Sequence, residues 1–174
     1  MCIELVVSLC STKPEEGWAK VNTDAAFVVE DFTVRSGVVI HDHSGSVIGA
    51  AARWFEGVQD VLSAKALAAK EGLELAVELG FQRVILELDC QGLMKLIKDP
   101  AAMRSSIGGL CFDISELGKS FNDFRVEWVR REANSVAHTC AHMVSGTERC
   151  LFWLDWIQDR LIDLAAGDCN SSTI

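Results

Sequence analysis

Over residues 18–29 apolar and polar side chains alternate, with Val21, Thr23, Ala25 and Phe27 on one face and Lys20, Asn22 and Asp24 on the other. This period of two is the signature of a strand with one face toward a core. Residues 14–17, from a proline to a glycine, read as the turn leading into it. A second strand is expected over 36–41 and a third over 47–53, joined by the turn Asp42-His-Ser-Gly45. The period then changes. Over 61–79 the apolar residues recur at helical spacing, and Gly80 stands where a helix C-terminal glycine belongs. Residues 84–88 are apolar apart from Glu87, as in a buried strand, and end at Asp89. Two further helices follow, over 91–98 and 107–121, the second with Ile107, Leu110, Cys111, Ile114 and Leu117 on one stripe. A fifth strand is expected over 124–129, and Asn134 reads as the N-cap of a helix running to about Ser145.

The order β-β-β-α-β-α-α-β-α predicts an α/β fold: a mixed five-stranded sheet with helices packed on it. No internal repeat or low-complexity block interrupts it. The chain is expected to comprise an N-terminal arm (1–13), one domain (14–146) and a C-terminal helical extension and tail (147–174). Within the extension, Trp153, Trp156, Ile157, Leu161, Ile162 and Leu164 suggest a helix over 151–168. It either docks on the domain's own apolar surface or binds a protein partner.

Composition narrows the function classes. A chain of 174 residues suits a single core. Its 25 acidic against 16 basic residues give a net charge of −9, which argues against strong non-specific phosphate binding while leaving room for a local groove. Cys2, Cys10, Cys90, Cys111, Cys140, Cys150 and Cys169 are scattered without a CxxC pair. Neither a disulfide framework nor a cysteine zinc site is expected, and a reducing compartment is the default. Residues 1–10 are apolar but carry Glu4 and lack a basic flank, so they do not read as a signal peptide. No stretch has transmembrane length. A cytoplasmic or nuclear protein with no membrane partner is expected.

One residue breaks the pattern. On a helical wheel centred on Lys65, Val61, Leu62, Ala68, Ala69, Gly72, Leu73, Leu75, Ala76 and Leu79 lie within about 80°. Ser63, Lys70, Glu71, Glu74, Val77 and Glu78 fall on the opposite face. Lys65 therefore points from the middle of the core-facing side, where an unpaired ammonium costs several kcal/mol. The candidate partners are Asp24, mid-strand, and Asp89, at the end of a strand parallel to the first. The alternative is that Lys65 extends past the sheet edge into water.

These residues also carry a family likeness. Lys20-Val-Asn-Thr-Asp-Ala-Ala26, Asp42-His-Ser-Gly45, Ala64-Lys-Ala-Leu-Ala-Ala-Lys-Glu-Gly-Leu-Glu-Leu-Ala76, Val84-Ile-Leu-Glu-Leu-Asp89 and Val129-Arg-Arg-Glu-Ala-Asn-Ser-Val-Ala-His138 occur in the order found in type-1 ribonuclease H domains. The sequence most resembles their plant retrotransposon-derived, reverse-transcriptase-like group. The resemblance implies an RNase H-like fold over about 14–144, RNA–DNA hybrid as partner and hydrolysis of its RNA strand. It also implies two Mg2+ or Mn2+ ions held by four carboxylates, since two metals about 4 Å apart must stabilise the attacking and leaving oxygens. Carried over, the first carboxylate matches Asp24 and the third matches Asp89, which makes these the metal ligands. The second falls on Lys65 and the fourth on His138, a histidine that is common in the plant group. The catalytic set implied is thus Asp24, Asp89 and His138. The family's mobile histidine before the last helix has no counterpart in Arg130-Arg-Glu-Ala-Asn134. Lysine among the carboxylates predicts weak or absent metal binding and impaired activity. Glu71, Glu74 and Glu78 point away from Lys65, and Glu87 lies one strand step, about 6.6 Å, from Asp89.

Lys20, Arg53, Arg130 and Arg131, with Asn22 and Asn134, are the candidates for nucleic-acid contact, although isolated surface basic residues are equally ordinary. His138 and His142 stand at i and i+4, a spacing able to bind zinc, or else simply face solvent. His41 and His43 flank a hairpin turn and read as surface residues. Trp18, Trp54 and Trp128 read as packing residues rather than base-stacking ones.

Overall fold

The alternation along the first strand is kept in three dimensions and places α1 and α4 on opposite sides of the sheet. The computed structural model describes residues 12–99, 101 and 104–154. Strands β1 (Ala19–Val28), β2 (Thr33–His41) and β3 (Val47–Glu56) form an antiparallel meander. Helix α1 (Val61–Glu78) crosses to β4 (Arg83–Leu88), parallel to β1. Helices α2 (Gln91–Lys98) and α3 (Gly108–Gly118) lead to β5 (Asp123–Trp128), parallel to β4. A 3-10 turn (Arg131–Asn134) runs into α4 (Ser135–Ala141), and β6 (Cys150–Trp153) follows. The sheet order is β5-β4-β1-β2-β3-β6.

The α/β class and the element order through α4 agree with the sequence, but the sheet has six strands, not five. Leu151, Phe152 and Trp153 were expected to open a helix. Instead they pair with Ala52, Ala51 and Ala50 of β3. An apolar run this short does not distinguish helix from strand, and the available edge of β3 decides it. The rest of the expected C-terminal helix and most of the N-terminal arm lie outside the described residues. Helix α4 also ends earlier than expected, at Ala141.

Two helices clamp opposite faces of the sheet, and glycine lets each approach. Helix α1 starts at Asp60, whose carboxylate accepts from Ser63 N at 2.8 Å. It ends at Gly80 (φ +77), with Phe81 N donating to Ala76 O and Gly80 N to Val77 O, the paired bonds of a Schellman cap. A Cβ at Gly72 would fall 2.7 Å from Thr23 and 2.8 Å from Val21. The main core lies beneath α1, where Val21, Val38, Leu73, Leu86, Leu93 and Ile114 are fully buried. On the other face a Cβ at Gly37 would fall 2.2 Å from Ala137 O of α4. There Val39, Ala50, Val136 and Cys140 form a second core. Helix α1 is buried more widely than its wheel suggested: Ala64 and Ala66 are buried while Val61 is exposed.

Candidate functional site

The β1–β4 ladder ends at the pair Thr23–Leu88, so the next residue on each strand, Asp24 and Asp89, comes side by side where the pairing stops. Asp24 is the register partner of Gly37 and so lies on the α4 side of the sheet. Lys65, from α1 in the opposite layer, reaches both aspartates past the end of the ladder. Its Nζ donates to Asp24 Oδ1 at 2.8 Å and to Asp89 Oδ1 at 2.5 Å. The Lys65 side chain is 18% exposed, against 4% for Asp24 and 7% for Asp89. It is paired, not extended into solvent.

The fourth position closes on the same aspartate. His138 Nδ1 lies 2.8 Å from Asp24 Oδ2, and its side chain is 45% exposed. Each oxygen of Asp24 is thus taken, one by an ammonium and one by an imidazole. Burial alone would raise the Asp24 carboxyl, but the Lys65 hydrogen bond and charge outweigh it, helped by His138 and the Ala25 N–H, and hold it below the ordinary range. Burial would likewise lower the Lys65 ammonium, yet its hydrogen bonds and charge contacts with Asp24 and Asp89 hold it above the ordinary lysine range.

Below this cluster, on the α4 side, lies a buried polar layer. Asn22 Nδ2 donates to Glu87 Oε2 at 2.8 Å and to Asn134 Oδ1 at 3.2 Å. Asn134 Nδ2 donates to Thr23 O at 3.0 Å. Lys20 Nζ donates to Thr12 O at 3.0 Å and lies 3.9 Å from Glu87. Lys20, Asn22, Glu87 and Asn134 are all buried, so the expected nucleic-acid contacts at Lys20, Asn22 and Asn134 give way to an internal role. Asn22 lies on the sheet face against which α4 packs, Asn134 at the start of α4, and Lys20 beneath Thr12, each with almost no exposed surface. Asn134 stands at the N-cap position without capping through its side chain, which is used across the sheet instead. Glu87, read as merely displaced from the site, supports it from beneath; a glutamate in an otherwise apolar strand was the available signal.

His41, expected at the surface, is buried opposite Lys20 in the β1–β2 register. Burial, reinforced by the Lys20 charge, pushes its imidazole down to about 3. Arg53 lies elsewhere. It pairs with Glu71 at 3.1 Å and lines a cavity of about 110 Å³ with Glu74, Glu78, Cys150 and Phe152. Glu71 also accepts from Ser36 Oγ, and burial raises its carboxyl; α1's outer face is therefore not uniformly solvated. Arg130 and Arg131 are exposed, and Val129 N donates to Leu88 O at 2.9 Å, which ties their segment to the strand end carrying Asp89. Trp18 packs under Arg125 and Trp54 against Arg35, whereas Trp128 is exposed. Among the described residues no helix is long and apolar enough to cross a membrane.

Comparison with known proteins identifies the frame. The reverse transcriptase-like family model matches residues 22–144. No curated protein matches the sequence significantly. The fold is similar to RNase H1 from the halophilic archaeon Halobacterium salinarum NRC-1, at 21% identity and TM-score 0.64, over 71% of this chain and 93% of that one. It is also similar to the N-terminal RNase H domain of Rv2228c from Mycobacterium tuberculosis, solved as a maltose-binding-protein fusion, at 17% identity and TM-score 0.62, over 86% and 96%. A third similar structure is LC11-RNase H1, isolated from compost by a metagenomic approach and solved in complex with RNA/DNA hybrid. It shares 15% identity at TM-score 0.59, over 70% of this chain and 92% of that one. The architecture is RNase H-like.

Proposed function

The chain belongs to the reverse transcriptase-like family, and on that basis we propose that it is an RNase H-like domain that binds RNA–DNA hybrid and whose hydrolytic step is impaired. The observation that carries the reading is Lys65 Nζ, seated on both Asp24 and Asp89. Hydrolysis in this fold, as the sequence resemblance implies, calls for two Mg2+ or Mn2+ ions on several hard anionic oxygens. The residues present do not fit that pair. They supply two carboxylates, one ammonium and one imidazole, and both Asp24 oxygens are already engaged. Two unit charges about 4 Å apart repel by about 4 kcal/mol at an effective dielectric near 20, and a divalent ion doubles this. Lys65 thus supplies the site's positive charge itself.

Hybrid binding is supported by the complex of the LC11 relative with RNA/DNA hybrid and by exposed Arg130 and Arg131 beside the cluster. A second reading, an inactive retroelement-derived domain that contacts a protein, is favoured by the net charge of −9. Exposed Phe152 (49%) and Leu154 (40%) next to the sheet edge also favour it. The test is cleavage of a labelled RNA–DNA hybrid in magnesium or manganese by the native chain and by Lys65→Glu, beside hybrid binding across a salt series. Salt-dependent binding is expected, with cleavage by the native chain far below that of Lys65→Glu. Native cleavage that the variant does not exceed refutes the impairment; weak, salt-independent binding favours the protein-partner reading.

A further inference from the structure

We propose that His138 and His142 form a site for a borderline divalent metal ion of the zinc, nickel or copper(II) class, bound through their two Nε2 atoms. The site uses the histidine that stands at the fourth carboxylate position but faces away from Asp24, and it does not depend on whether the domain hydrolyses hybrid.

The hydrogen-bond partners of the two rings fix their tautomers. An ionised carboxylate only accepts hydrogen bonds, so the 2.8 Å contact of His138 Nδ1 with Asp24 Oδ2 puts a proton on Nδ1. A backbone carbonyl also only accepts, so the 2.9 Å contact of His142 Nδ1 with His138 O puts a proton on that Nδ1 too. In the neutral rings the lone pair of each histidine is then left at Nε2. Metal-ligating histidines almost always use their second nitrogen in this way, donating to a carboxylate or a main-chain carbonyl that fixes the ring and strengthens the ligand. Here the chain supplies one partner of each kind.

Placement agrees. The two residues sit one helical turn apart at the end of α4, with ring centroids 4.5 Å apart and planes inclined by 53°. His138 is half-exposed and His142 exposed, so an ion has access from solvent. The local charge is permissive. Lys65 carries one positive charge, but it bridges two carboxylates, so the group beneath His138 sums to one negative charge. Imidazole nitrogen suits zinc, nickel and copper and suits magnesium poorly. Among the described residues no group of three or more His, Cys, Asp or Glu side chains is arranged to hold a metal. The remaining coordination positions therefore fall to water or to a phosphate oxygen.

The test uses metal ions alone on the full chain. Long-range 1H–15N spectra of the histidine rings are expected to show both His138 and His142 with the hydrogen on Nδ1, and zinc chloride should then perturb their Nε2 signals. Calorimetric titration with zinc should show a component that His142→Ala weakens at least tenfold, as should His138→Ala. His43→Ala, on the exposed hairpin, should leave it unchanged, and magnesium chloride should give no histidine-dependent heat. Copper(II) should show nitrogen coupling in its electron paramagnetic resonance spectrum that is reduced in His142→Ala. Because His142 is exposed, its variant keeps the fold and makes the result decisive. A zinc titration indifferent to His142, or rings carrying the hydrogen on Nε2, overturns the proposal.

Discussion

Asp24 and Gly37 face each other across the β1–β2 ladder, and the missing side chain of one determines the surroundings of the other. Only a glycine leaves room for the Ala137 carbonyl and the Ala141 nitrogen of α4 at that point, and α4 carries His138 onto Asp24. Gly37→Ala is expected to cost about 1–3 kcal/mol, the usual range for overpacking a closed interface. Its melting temperature should fall by roughly 2–4 °C per kcal/mol, with the His138 ring signal shifted. A variant as stable as the native chain would show that α4 does not sit this close.

Removing the cation should cost stability. Lys65→Met keeps an unbranched side chain, removes the terminal ammonium and leaves two buried carboxylates together. Breaking a buried pair costs about 3–5 kcal/mol, and the partial exposure of Lys65 places the loss near the lower end. Because Asp24 is held below its ordinary value of 3.8, its contribution is present above that pH and lost as pH falls through the lower folded value. Because Lys65 is held above 10.5, its contribution is complete below that pH and lost as pH rises through the higher folded value. Urea unfolding at neutral pH should show the full deficit of Lys65→Met, shrinking at both extremes.

His41 sets an acid limb of its own. Its folded value near 3 lies below the ordinary 6.5, so the unfolded chain binds the extra proton. Stability should fall from about pH 6.5 downward, with a slope approaching 1.4 kcal/mol per pH unit. His41→Phe, which cannot titrate, should flatten urea midpoints between pH 7 and pH 4.5 relative to the native chain. Parallel profiles would remove His41 as the cause.

The exposed arginines next to the cluster should carry hybrid binding. Arg130→Ala and Arg131→Ala are each expected to weaken binding and reduce the slope of log affinity against log salt by about one. Arg53→Ala, whose guanidinium is committed to Glu71 on another part of the surface, should leave that slope unchanged. Fluorescence anisotropy of a labelled hybrid across a salt series separates these outcomes.

Periodicity was enough to place the three-strand meander, the long first helix and the parallel crossover, because a half-buried strand and a half-buried helix repeat their apolar residues at different intervals. It also exposed Lys65, since a charge in the middle of an apolar helical stripe must be paired or escape. What the linear pattern could not decide were matters of distance between separate elements. Cys150–Trp153 became a strand because the edge of β3 was available to it. Asn22 and Asn134 turned inward because α4 packs on that face of the sheet, and Lys20 because it lies beneath Thr12, which spacing along one strand does not reveal. The joining of Lys65 to both aspartates, and of His138 to the same carboxylate, needed two helices held on opposite faces by glycines at 37 and 72. Such contacts follow from where layers pack, and packing is settled by the whole chain at once, not by the order of residues in any one segment.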